Sequence, residues 1–346
     1  MEKFNAFPFL AFAKKSLHEN PVLCPMKRYK KDIRIKGLLI ITAMLLTTNA
    51  YTQSPSFNSK FYRIAIRIKG IKNVVEKEFK NGDFSKNNKV AKIPSKVQRQ
   101  CDVLHWESKG RTIWELRKKN TEPKKYILYL HGGAFVHNIT TYDWQLLSRV
   151  AQHSGYGIII PDYPLAPEHT YKDVYNMVMP VYEELLHRVG CENVVLMGFS
   201  AGGGLTLSLA QYAKNKSLPQ PSQIILLSPL LDATLQNPEI ADIDSHDPYL
   251  GIEGLKKAVL AYSGGDDVSN YMISPINGTV EGLAPIHLFI GTHEILMPDA
   301  KKLVALAARQ NVHIDYHEYP EMYHAWIFLN MREAKDVFDK LMFFLE

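Results

Sequence analysis

From residue 125 onward the chain alternates between two hydrophobic rhythms. Short runs that are apolar at nearly every position, at 126–130, 157–160, 193–197, 223–227 and 286–290, read as strands buried on both faces. A further run at 313–319 alternates apolar and polar residues, which places His313 and His317 on one side of a strand. Between these runs, at 142–153, 173–189, 203–214, 300–310 and 331–345, apolar residues recur every three or four positions and predict helices. Buried strands separated by ten or more helical residues predict a mostly parallel sheet covered on both faces, an α/β architecture. Segment 237–275, rich in Asp, Gly and Pro, breaks the alternation and is long enough to form an insertion over one end of the sheet. Upstream lie two strand-like runs at 102–106 and 112–116, a polar loop at 81–92, and one helical pattern at 61–79 carried by Ile64, Ile68, Ile71, Val75 and Phe79.

The first 50 residues follow neither rhythm. Lys27, Arg28, Lys30, Lys31, Arg34 and Lys36 form a basic stretch, and an apolar run fills 37–46. Small residues at Thr48 and Ala50 then stand at the −3 and −1 positions of a cleavage site. The apolar run is too short to span about 30 Å of hydrocarbon but suits a signal peptide, with Met26 as the natural start. Segment 1–50 is therefore expected to be a leader, the protein to be exported (periplasmic or secreted), and no membrane span to remain after its removal.

Composition changes this picture little, but charge refines it. With 346 residues, 46% hydrophobic and 22% charged, the chain has ample core material, which excludes a disordered or collagenous protein. The net charge of +6 sits wholly in residues 1–50, which hold nine Lys/Arg and three Asp/Glu; the remainder is neutral. A neutral body offers no overall field for a nucleic acid. Within that body, residues 51–120 carry a net +11 and 121–346 a net −11. A solvated helix face is the plainest reading; an anionic-ligand patch and a basic lid against an acidic core are the alternatives. Cys101 and Cys191 allow one disulfide or two buried thiols, and neither a CxxC pair nor an HExxH motif supports a metal site.

Two glycine-rich motifs carry candidate chemistry. Gly198-Phe199-Ser200-Ala201-Gly202 follows an apolar strand and precedes a helical pattern. A serine on a sharp strand-to-helix turn exposes its hydroxyl above the sheet, and small residues two positions to either side let the flanking chain pass closely. No Lys follows these glycines, so a phosphate loop is disfavoured. His131-Gly132-Gly133-Ala134-Phe135 also ends a strand, and paired glycines let backbone N–H groups face a developing oxyanion.

Together these motifs are similar to those of the hormone-sensitive-lipase-like esterases of the α/β-hydrolase fold. The resemblance covers roughly residues 100–346. His131–Phe135 resembles the family's HGGG motif, with Ala134 at its third glycine. Asp162-Tyr163-Pro164-Leu165-Ala166-Pro167-Glu168 resembles DYRLAPE, with Pro164 where arginine is usual, and Ser274-Pro275 resembles a pair placed before the acid-bearing strand. The resemblance implies an α/β-hydrolase domain over 101–346, with a cap insertion near 237–275, beneath a helical N-terminal cap and extension at 51–100. It also implies a triad of Ser200 as nucleophile, Glu294 as acid and His324 as base, with the N–H groups of Gly132, Gly133 and Ala201 as oxyanion hole. Asp299 is the rival acid, although capping the helix near Ala300 would account for it. Tyr62, Phe61 and Phe79 are candidates for the acyl pocket, although aromatic residues at helical spacing are more often core.

The expected activity is hydrolysis of short- to medium-chain carboxylic esters through an acyl-enzyme, with a small-molecule ester as partner and no cofactor or metal. A serine peptidase of the same fold is the alternative within the mechanism. A ligand-binding relative that lacks the catalytic histidine is the alternative outside it, and His324 argues against that.

Overall fold

The computed structural model describes residues 54–82, Phe84 and residues 92–346. The segment expected to be a leader, with its expected cleavage site, and most of the 81–92 loop lie outside the described residues. Eight strands form one sheet: β1 Cys101–Ser108, β2 Arg111–Lys118, β3 Tyr126–Leu130, β4 Gly157–Pro161, β5 Val194–Phe199, β6 Gln223–Leu227, β7 Ile286–Gly291 and β8 Ile314–Tyr319. Their order is β1-β2-β4-β3-β5-β6-β7-β8; the first two pair antiparallel, β2 joins β4 antiparallel, and β4 through β8 run parallel. Every predicted strand is present.

The ten α-helices are α1 Phe57–Ile68, α2 Ile71–Asn81, α3 Ser95–Gln100, α4 Thr141–Ser154, α5 Tyr171–Val189, α6 Ala201–Asn215, α7 Glu239–Asp244, α8 Ile252–Ser263, α9 Met297–Arg309 and α10 Arg332–Leu345, counted among the described residues. The pleat divides the strand side chains between two cores. Leu128, Leu196, Leu226 and Leu288 pack with α5, α6, α8 and α9; Ile127, Val195, Ile225 and Phe289 pack with α4 and α10. Both faces of the sheet are covered, which is why these strands are apolar at successive positions. Thr140 and Thr170 open α4 and α5 with capping boxes closed by Asp143 and Asp173. Cys101 is a free buried thiol beside Ser148, so a disulfide between Cys101 and Cys191 is not formed.

The N-terminal region departs from the single helix expected at 61–79. Gly70 adopts φ 61°, a left-handed conformation that an L side chain rarely takes, and splits the segment into α1 and α2. The break re-aims the apolar stripe. Val75 and Phe79 pack with the core beside α8, whereas Phe61, Ile64 and Ile68 face solvent. Phe61 therefore belongs to no core, Phe79 packs edge-on against Phe84, and Tyr62 joins the second core in part. Segment 237–275 holds α7 and α8, helices that its Asp, Gly and Pro content concealed.

The charge asymmetry has a structural counterpart. Arg63 pairs with Glu321 at 2.8 Å, Arg67 donates to the carbonyls of Ser245 and His246, and Lys72 pairs with Asp244 at 2.8 Å. Arg67 and Lys72 thus meet the C-terminal end of α7, where carbonyls lack helical partners, while Arg63 meets the turn after β8. Each exposed pair contributes at most about 1 kcal/mol. The start of α1 is held more firmly, because the Ser56 N–H and hydroxyl both donate to the Glu333 carboxylate at 2.7 Å. Removing that carboxylate (Glu333→Ala) should raise the open population of α1 by roughly thirtyfold, about 2 kcal/mol for charge-assisted bonds, seen as faster proteolysis near 54–70.

Candidate active site

The site is assembled where the parallel strands end. Ser200 stands between β5 and α6 at φ 55° and ψ −122°, a strained geometry for a side chain with a Cβ. Three backbone bonds hold it: its N–H donates to Leu227 O at 2.9 Å, and its carbonyl accepts from Gly204 at 3.1 Å and Leu230 at 2.9 Å. A Cβ on Gly198 would lie 2.2 Å from Gly202 O, and one on Gly202 would lie 2.0 Å from Leu130 O. These are the close passages that the small flanking residues predict. Gly204, which the sequence reading did not single out, has the same constraint, its Cβ position being 2.0 Å from Leu230 O.

The three widely separated residues meet. Ser200 Oγ is 3.0 Å from His324 Nε2, and His324 Nδ1 is 2.8 Å from Glu294 Oε2. A carboxylate accepts only, so Nδ1 carries the hydrogen and Nε2 is left to accept from the serine hydroxyl. All three side chains are buried. The second Glu294 oxygen accepts from Gly291 N–H at 2.7 Å, Ser228 Oγ at 2.8 Å and Trp326 Nε1 at 3.2 Å. Phe199 stacks on the imidazole with ring centroids 5.0 Å apart.

Ser228, Trp326 and Asp247 are site residues that sequence reasoning missed. Asp247, from the insertion, accepts from the N–H groups of Tyr249 and Leu250 and, through its other oxygen, from Ile295 beside Glu294. Burial pushes its carboxyl up to about 6 despite the neighbouring His324 and those hydrogen bonds. The sequence signals were slight: a Ser-Pro pair after β6, a tryptophan two residues beyond His324, and an Asp-Pro pair in the insertion.

Gly132 lies beside the serine, since a Cβ there would be 3.1 Å from Ser200 Cβ and 2.7 Å from the Phe199 ring. Gly133 adopts φ 113°, and its Cβ position is 2.5 Å from His137 O. Ala201 is the first residue of α6, where backbone N–H groups have no partner within the helix. The segment resembling DYRLAPE braces this loop: Tyr163 stacks on His131 at 4.1 Å and donates to its carbonyl, and Asp162 accepts from Asn138. In place of an arginine at 164, Arg111 from β2 pairs with the Asp162 carboxylate at 3.1 Å.

The carboxylate on the imidazole is that of Glu294, and Asp299 instead accepts from Asn237 at 2.9 Å. Nor does it cap a helix: α9 begins at Met297 with Pro298 in its first turn, so Asp299 already lies inside it. Burial pushes the Asp299 carboxyl up to about 6, against the hydrogen bond from Asn237. The folded protein holds that proton until about pH 6, whereas the unfolded chain releases it near pH 4, so a cost appears as pH rises through this window. Asp299→Asn should therefore gain about 1–2 kcal/mol relative to the parent at pH 8 compared with pH 4, measured by urea unfolding at both. For the elbow, Gly202→Ala should cost several kcal/mol, read as a lost or sharply lowered thermal transition, because backbone must move to admit the methyl group.

Comparison with known proteins identifies the family. A family model described as the alpha/beta hydrolase fold matches residues 127–328. An esterase of Acinetobacter venetianus is 30% identical over 218 residues, 60% of this chain and 72% of that protein. An acetyl-hydrolase of Streptomyces hygroscopicus is 27% identical over 202 residues, 58% of this chain and 67% of its own. A solved Staphylococcus aureus structure, described as a candidate esterase, is 30% identical with a TM-score of 0.71, covering 74% of this chain and 87% of that one. A crystal structure of an esterase from the bacterial hormone-sensitive lipase family shares the fold at 22% identity and a TM-score of 0.72, covering 85% of this chain and 98% of that one. With its sheet order, its elbow and these relatives taken together, the chain belongs to the esterases of the α/β-hydrolase fold.

Proposed function

We propose that the protein hydrolyses short- to medium-chain carboxylic esters through an acyl-enzyme, with Ser200 as nucleophile, His324 as general base and acid, and Glu294 as the orienting carboxylate. The observation that carries this reading is the unbroken relay from Ser200 Oγ through His324 to Glu294, at 3.0 and 2.8 Å. In the first half-reaction His324 Nε2 takes the hydroxyl proton as Oγ bonds to the ester carbonyl carbon. The carbonyl π electrons move to oxygen, where the N–H groups of Gly132, Gly133 and Ala201 receive them; each such donor is worth about 3 kcal/mol in the transition state. The tetrahedral intermediate collapses, the C–O bond to the alcohol breaks, and the imidazolium returns its proton to the departing oxygen. Water then repeats the sequence on the acyl-serine, releasing acid and free Ser200.

A small acyl group is supported by the rings around the relay: Phe199 lies edge-on to Phe328 at 4.8 Å, and Tyr249 stands 6.0 Å from the imidazole. Export is part of the same proposal and rests on the basic and apolar runs ahead of Ala50. N-terminal sequencing of material recovered outside the cytoplasm tests it, and an intact Met1 there would refute it.

Ser200→Ala should lower p-nitrophenyl butyrate turnover at least ~10⁴-fold with the circular dichroism spectrum unchanged, and should abolish labelling by a fluorophosphonate. Glu294→Ala should cost ~10²–10⁴-fold while Asp299→Ala leaves kcat within about threefold; the reverse order would move the acid role to Asp299. Turnover of an amide analogue at rates near the ester's would favour a peptidase instead.

A further inference from the structure

The relay and its supports leave one conspicuous surface unused. On α1, Phe57, Phe61, Ile64 and Ile68 are 81%, 60%, 57% and 81% exposed. Their spacing of four, three and four residues places them on one helical face, opposite the inward-facing Ser59, Tyr62 and Ile66. Phe57–Ile68 contains no Asp or Glu; exposed Lys60 borders the stripe and exposed Lys69 stands at its C-terminal end. Residues 54–82 together hold seven Lys/Arg against two Glu.

We propose that this face of α1 docks the protein on a lipid surface that carries anionic headgroups, independently of how its ester substrate is read. An apolar stripe with cations on its borders suits the boundary between headgroups and acyl chains: the rings and branched carbons enter, and the ammonium groups remain among the phosphates. The same charges argue against the other occupants. A second copy packed about a two-fold axis would bring this cationic face against its own counterpart. The chain's own upstream segment is also basic, with six Lys/Arg between Lys27 and Lys36. The orientation is fixed, because Ser56, Arg63 and Arg67 bind α1 to the body through its opposite side and flank.

The test is co-sedimentation, with vesicles of phosphatidylcholine alone or with about one quarter phosphatidylglycerol, of the full chain and of the chain beginning at Tyr51, so that binding by the basic and apolar runs at 27–46 is read separately. Binding to the anionic vesicles is expected, weaker on neutral ones and weakened by salt. The triple change Phe57→Gln, Ile64→Gln and Ile68→Gln should reduce it at least ~10-fold, and Lys60→Glu with Lys69→Glu by a similar factor. Glutamine keeps helix propensity at exposed positions, and unchanged turnover of a soluble p-nitrophenyl ester reports that the fold is intact. Parent protein that stays in solution with anionic vesicles would overturn the proposal. So would a triple variant that binds as the parent does, or binding indifferent to headgroup charge. A concentration-dependent dimer that the triple variant loses would assign the stripe to a second copy and overturn it equally.

Discussion

The arrangement depends on a carboxylate that has been taken entirely out of water. Glu294 is 0% exposed, and a buried charge of that kind persists only when donors replace the lost hydration. Its donors come from separate parts of the chain: Gly291 at the end of β7, Ser228 just past β6, and His324 and Trp326 beyond β8. One side chain therefore ties together the carboxyl ends of three neighbouring strands. The imidazole is not free to rotate, because its orientation is fixed by a group that cannot move without breaking the others.

The serine is held by the complementary device, crowding. The strained backbone at Ser200 survives because three hydrogen bonds and a series of near-contact glycines leave no relaxed alternative. Electrostatic satisfaction fixes one end of the relay and steric exclusion the other. Segment 237–275 then touches the relay, with Asp247 on the backbone beside Glu294 and Tyr249 near the imidazole, while α1 reaches Glu321 and His293 through Arg63. Both segments are thereby bonded to the stretches that carry Glu294 and Glu321 rather than merely resting over them.

Much of this was legible in the residues. Strands buried on both faces announce themselves by unbroken apolar runs, and the elbow and paired glycines have narrow steric requirements that few other sequences meet. Glu294 and His324 were readable through the family resemblance, which asks for an acid and then a histidine downstream of the serine. What escaped was determined by tertiary contact. Gly70 looks like any helix-tolerated glycine until its positive φ is seen, and an apolar residue such as Ile64 has the same helical spacing whether it faces core or water. Asp299 resembled a cap because helix starts are ambiguous by a turn, and its real partner, Asn237, is 62 residues away. Ser228 and Trp326 left only slight signals because their roles exist only once the strand ends have converged.

The Arg111–Asp162 pair carries a consequence for tolerance to change. The carboxylate at 162 lies almost entirely out of water, and its guanidinium partner comes from a neighbouring strand fifty-one positions upstream. Arg111, which stands on β2 outside both glycine-rich motifs, therefore governs whether that carboxylate is left unpaired. Damage to this corner of the molecule can begin at an address that neither motif would point to.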